Sequence, residues 1–237
     1  MAVLLLPWLM SNRESGGGLS VLSFWLLLIY ATLFGLNASQ GAALPAFLLE
    51  GRRLMLLRQA GAGMRAVMWA KFWAGYLPTL MAWAAVLAVY GLFLGLPAWQ
   101  IGWLALTVAA GLSGGCAIML AAGALTADFS VTVPRPKAAG QMSGWSWLGL
   151  LLGAVWEGAC LALSAWLLLA LGRDTPLVRT TQTVLGVMPP LGRLLDPAEW
   201  RLPVGALLVL AGVVLAIGWL WRTARRRLED WEPATAS

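Results

Sequence analysis

Apolar residues fall along this chain in long runs, and charges, prolines and most polar residues are confined to the stretches between them. A helix needs about 20 consecutive apolar residues to cross the hydrocarbon of a bilayer. Five runs reach that length, at about residues 19–43, 69–94, 99–126, 145–171 and 202–221. Gly95-Leu96-Pro97 ends the second in a tight turn, because proline lacks an N–H and disfavours helix in the residue before it. Pro203 sits in the first turn of the fifth, where a missing N–H costs nothing. Residues 127–144, broken by Pro134 and Pro136, predict an extended loop at a membrane surface. Pro176, Pro189, Pro190 and Pro197 punctuate the polar stretch between the fourth and fifth runs. The first run is the least uniform, its second half carrying Asn37, Ser39 and Gln40. The expected fold class is all-α: a polytopic membrane helix bundle of about five transmembrane helices, one domain over residues 19–222.

Residues 1–10 are apolar but too short to span a bilayer. Arg13 and Glu14 follow them and Gly16-Gly17-Gly18 comes next, the reverse of the order in a signal peptide. Residues 1–18 are therefore expected to be an interfacial or truncated N-terminal segment, and residues 223–237 a cytoplasmic tail, basic and then acidic.

Composition agrees with a lipid solvent. The chain is 60% hydrophobic and 11% charged, where soluble domains carry about 25% charged residues. The net charge of +6 does not point to nucleic acid, since the basic residues occupy short loops and form no basic face. They are topology signals instead. Arg52, Arg53, Arg58, Arg65, Lys71, Arg135, Lys137, Arg222, Arg225, Arg226 and Arg227 flank one set of loops. Arg13, Arg173, Arg179, Arg193 and Arg201 flank the other, nearly balanced there by Glu14, Asp174, Asp196 and Glu199. Lysine and arginine are retained in the cytoplasm, so the first set lies inside. The expectation is a multi-pass protein of the cytoplasmic (inner) membrane, N-terminus outside and C-terminus inside. With an odd number of spans, that parity implies an upstream portion, or pairing of residues 1–10 with another subunit's helix.

Enzyme chemistry finds no template. The chain has no histidine, removing the commonest general base and metal ligand. Its two cysteines, Cys116 and Cys160, lie inside apolar runs and offer neither a disulfide framework nor a zinc cluster. Ser113-Gly114-Gly115 has no histidine partner, and no Gly-x4-Gly-Lys-Ser/Thr sequence is present to bind ATP. No catalytic residue, cofactor or metal site is expected.

The segment Leu44 to Phe72, LPAFLLEGRRLMLLRQAGAGMRAVMWAKF, is too charged for lipid. Between Glu50 and Arg65 the apolar Leu54, Leu57 and Met64 alternate with Arg53, Arg58 and Arg65, which suits a short helix at the interface, its basic face toward headgroups or a partner. A solvated inside loop obeying the charge bias is the plainer alternative. A glutamate closing a span, Gly51-Arg52-Arg53, Leu56-Leu57-Arg58, and Lys71 opening a span that contains Pro78 together resemble the permease subunits of type-two ABC exporters. GALTADFSVTVPRPKAAGQMSG is similar to a second cytoplasmic loop of that family, although Ala127-Asp128-Phe129 lacks the proline expected before the acidic and aromatic pair. The resemblance covers about residues 19–170 and implies a membrane subunit without an ATP site, driven by a separate ABC-type ATPase through cytoplasmic coupling elements. Glu50, Arg52, Arg53, Arg58 and Lys71 would form the coupling loop, with Asp128, Arg135 and Lys137 in the second loop. Family permeases usually carry further spans upstream, so the resemblance also implies that this is the later half, with a second permease copy or an upstream half as partner.

Glu157 is the one carboxylate expected well inside the hydrocarbon, where burial is expensive and a functional role common. It belongs either to a substrate or proton path or to a structural hydrogen bond between helices. Gly111, Ser113, Gly114, Gly115, Ala117 and Gly123 give the third run a small-residue face for close helix approach, within the chain or in a dimer. Tryptophans such as Trp69, Trp99, Trp145, Trp200, Trp219 and Trp221 fall near span ends, as in an interfacial belt. The leading expectation is an ABC exporter permease. The alternatives are a membrane scaffold or assembly protein whose basic loops bind anionic lipid or a partner, and a proton-coupled secondary transporter using Glu157, for which inverted repeats are missing.

Overall fold

The computed structural model describes residues 24–30, 43–48, 61, 63–93, 96–127, 144–171, 178–179, 181 and 200–230. Among them all regular structure is helical: residues 24–30, a short α1 (Pro45–Leu48), and four long helices, α2 (Met64–Phe93), α3 (Ala98–Thr126), α4 (Gly144–Leu171) and α5 (Arg201–Asp230). Those four are long and apolar enough to cross a membrane. The chain is thus a multi-pass membrane helix bundle. The expected first span, 19–43, lies mostly outside the described residues, its helical part there being 24–30.

Helix ends depart from the hydropathy boundaries where side chains find partners. α2 starts at Met64, ahead of residue 69, because Met64, Val67 and Met68 turn one face into the core while Arg65 stays exposed. Met64 and Arg65 therefore belong to the first turn of a long helix and not to a separate interfacial one. Gly61, at φ +79°, supplies the left-handed residue just ahead of it. α5 continues past residue 221 to Asp230 because Ala224 and Leu228 remain buried while Arg222, Arg225 and Arg226 point outward. Between α2 and α3 the chain reverses at Leu96-Pro97. The Leu96 N–H donates to the Gly91 carbonyl at 2.9 Å, and the Pro97 carbonyl accepts from the Gln100 N–H at 2.9 Å.

α3 is the buried axis. Of its most apolar stretch 61% is buried, against 11% for α2 and 17% for α5, which leaves the outer faces of those two helices for lipid. The small-residue face explains how α3 takes neighbours so closely. A side chain on Gly111 would collide with the Glu157 carboxylate, one on Gly114 with the Trp156 ring, and one on Gly123 with the Leu44 carbonyl. Within the chain, then, that face is already packed. One core cluster joins Phe47, Met68, Phe72, Met119, Leu120, Leu125, Leu220 and Leu228. The other, toward the opposite end, joins Phe24, Leu28, Leu87, Leu104, Leu112 and Leu168. α5 is held to α2 by rings, with Trp221 centred 5.1 Å from Trp69 and 6.3 Å from Phe72.

Candidate functional site

Two regions of the described bundle bring polar groups from different helices together: a seam between α3 and α4 at mid-height, and one basic end.

The seam starts from helical register. Glu157, Cys160 and Ser164 share one face of α4, and Trp103, Thr107, Gly111 and Gly114 share the facing stripe of α3. Ser164 and Thr107 bond each other at 2.6 Å, Trp103 Nε1 donates to Ser164 Oγ at 2.7 Å, and the Thr107 hydroxyl also donates to the Trp103 carbonyl at 2.9 Å. Trp156 Nε1 reaches the carbonyls of Ala110 and Gly111, both at 3.1 Å, its ring lying in the space that Gly114 leaves. Glu157, at the midpoint of α4, is only 5% exposed, and its Oε1 has no hydrogen-bond partner among the described residues. Every other charged residue described lies toward a helix end: Arg65 and Lys71 near the start of α2, Arg179 between α4 and α5, Arg201 at the start of α5, and Arg222 to Asp230 at its close. An ionised carboxylate at this depth costs several kcal/mol unless it faces water or a positive partner.

The basic end is built by capping. The last carbonyls of a helix have no intrahelical donor. Arg227, from the final turns of α5, donates its guanidinium to the carbonyls of Leu125 and Ala127 at the close of α3. Lys71 of α2 donates to the Ala46 carbonyl of α1 at 2.8 Å, its ammonium 4.8 Å from the Phe47 ring centre. These contacts bring Leu48 and Gly61, which flank the expected coupling loop, to the same end as Ala127 and Gly144, which flank the second loop. Glu50, Arg52, Arg53 and Arg58, like Asp128, Arg135 and Lys137, lie outside the described residues. Lys71 and Glu157 are thus the expected site residues that the structure places, one at the basic end and one in the seam.

Comparison with protein-family models, curated proteins and solved structures finds no significant match. The resemblance to exporter permeases therefore stands on the two loop patterns alone.

Sequence reasoning missed three groups. Arg227 counts only as a topology charge until α3 is folded beside it. Ser164 and Thr107 carry a legible signal, lying seven residues after Glu157 and four before Gly111, spacings that return to the same helix face. The tryptophans divide: Trp69, Trp99 and Trp200 are exposed near helix ends as a belt requires and Trp219 is exposed farther along α5, whereas Trp103, Trp156 and Trp221 donate into the bundle, Trp221 to the Ala117 carbonyl at 3.0 Å. The Ser113 hydroxyl bonds back to Ala110 of its own helix at 2.8 Å. Among the described residues no cluster of metal-ligating side chains occurs.

Proposed function

We propose that this chain is the membrane-embedded permease subunit of an ABC-type exporter. It moves its substrate by alternating access, with ATP hydrolysed in a separate subunit that docks at the basic end. The single arrangement that supports this reading is the convergence of both loop flanks with the arginine-bearing turns of α5, drawn together by Lys71 on Ala46 and by Arg227 on Leu125 and Ala127. One end of the bundle thereby gathers Arg65 and Lys71 of α2 with Arg222, Arg225, Arg226 and Arg227 of α5 beside the closing turns of α3, so force applied there is passed to the central helix. The orientation that goes with it has the basic end in the cytoplasm, by the positive-inside rule. A second permease copy, or a companion permease half, completes the pathway.

The test is co-purification of the tagged full chain from its native membrane. An ATP-hydrolysing ABC subunit is expected in the complex, and the double substitution Arg52→Glu, Arg53→Glu is expected to release it. If no such subunit comes down, or if charge reversal leaves the complex intact, the coupling role fails, and a scaffold binding anionic lipid through the same arginines becomes the better reading.

A further inference from the structure

The arginines that close α5 divide by partner. Arg227 donates to the Leu125 and Ala127 carbonyls of α3, and Arg225 is paired with Glu229 of its own helix at 3.3 Å. Arg222 and Arg226 are exposed and have no hydrogen-bond or ion-pair partner among the described residues. They lie four residues apart, one above the other, on the side of α5 away from the buried Leu220, Ala224 and Leu228. Followed back along the helix, that side carries Trp219, Leu215 and Leu208. Leu215 and Leu208 are the most exposed large apolar side chains of α5, at 75% and 69%, so this is its lipid-facing stripe.

The depth of the two arginines follows from helix length. The uncharged stretch 202–221 measures about 30 Å at 1.5 Å per residue, the thickness of the hydrocarbon. Residues 222–226 occupy the next 6 Å or so, and the headgroup layer adds about 5–7 Å on each side. The rings give the same level independently. Trp221 meets Trp69 of α2 at 5.1 Å and Trp219 meets Trp145 of α4 at 6.2 Å, four indoles from three helices at the height where tryptophan favours the interface.

We propose that Arg222 and Arg226 hold the headgroup phosphate of an anionic phospholipid, whose acyl chain lies along Leu215 and Leu208 beside the Trp219 ring. A guanidinium takes two phosphate oxygens at once. Two guanidiniums carry more charge than one phosphodiester neutralises, so the site favours a lipid of net negative charge and repels the trimethylammonium of a zwitterionic headgroup. The proposal goes beyond the exporter reading and does not depend on an ATPase, whose docking is tested at Arg52 and Arg53.

The experiment is native mass spectrometry of the full-length protein in micelles, offered equal amounts of phosphatidylglycerol and phosphatidylcholine with the same acyl chains. Wild type is expected to retain phosphatidylglycerol over phosphatidylcholine by about 30-fold as its first bound lipid, since one basic residue at a charged surface contributes roughly fivefold. Arg222→Gln and Arg226→Gln are each expected to lower that ratio about fivefold. Arg225→Gln removes the same charge from the same turn and is expected to lower it by less than about twofold, because Glu229 already holds that guanidinium. Equal retention of the two lipids by wild type overturns the proposal. So does an equal loss in Arg222→Gln and Arg225→Gln, which marks general attraction between charges. Displacement of the lipid by an equal concentration of glycerol 3-phosphate marks a site for soluble anions and overturns it as well.

Discussion

At the scale of single residues, this bundle depends on atoms that are missing from side chains. Gly114 lets the Trp156 indole lie on α3 and reach two of its carbonyls, so Gly114→Val is expected to destabilise the protein by about 1–3 kcal/mol through overpacking. Gly158 is next to Glu157 in sequence but faces open space, where a methyl would meet nothing within 4 Å, so Gly158→Ala is expected to be neutral or stabilising by up to about 1 kcal/mol, alanine being the better helix former. Thermal unfolding of the two purified variants in one detergent decides between packing and general glycine preference. Arg227 makes the complementary case for a residue whose role is more than its charge. Arg227→Ala leaves the closing carbonyls of α3 without their donor and is expected to cost about 1–2 kcal/mol, less than a fully buried charged hydrogen bond because the side chain is exposed. Arg225, paired with Glu229 at 3.3 Å with both side chains nearly half exposed, is expected to lose less than about 0.5 kcal/mol on replacement by alanine. The same melting experiment compares them.

Elements were legible in the sequence to the extent that lipid selects them. Four of the five expected spans appear as helices, with six of their eight ends within one residue of the hydropathy limits, because an unsatisfied backbone is intolerable in hydrocarbon and a helix satisfies its own. The other two ends were less legible. α2 begins earlier and α5 finishes later than hydropathy predicts, because Met64, Val67, Ala224 and Leu228 gain burial against other helices, a gain that exists only once the bundle forms. The pairing of α3 with α4 is likewise a matter of register. Ser164→Ala is expected to lower stability by about 0.6 kcal/mol and at most about 1.7, the range for hydrogen bonds between membrane helices. A double-mutant cycle with Thr107→Val reads the shared part of that energy, and a zero coupling term overturns the 2.6 Å hydroxyl pair as a stabilising contact.

For the whole molecule the decisive quantity is which way the bundle faces. Cys116 and Cys160 are both buried, so the native protein is expected to resist a membrane-impermeant maleimide, leaving a clean background. Single substitutions Glu229→Cys and Trp200→Cys place thiols at exposed positions toward opposite ends of α5. Glu229→Cys is expected to react only when the reagent reaches the cytoplasmic face, and Trp200→Cys only from the other. The reverse pattern overturns the assignment of the basic end to the cytoplasm, and with it the docking of an ATPase there.

The amino-acid sequence by itself determined that this protein lives in a membrane, that it is helical, and which residues stand out as chemically costly. Each follows from transfer free energies summed along the chain, and such sums need no knowledge of neighbours. Glu157 was visible for that reason. Its surroundings were not, because whether a buried carboxyl meets a cation, a hydroxyl row or a glycine depends on which helix lies opposite and in which register. Only the tertiary structure decided that α3 is the central helix, that Gly111 faces Glu157 and that Arg227 closes α3. The apolar runs are nearly interchangeable to lipid, and the choice among their arrangements falls to the shapes of small residues and to a few hydrogen bonds between helices.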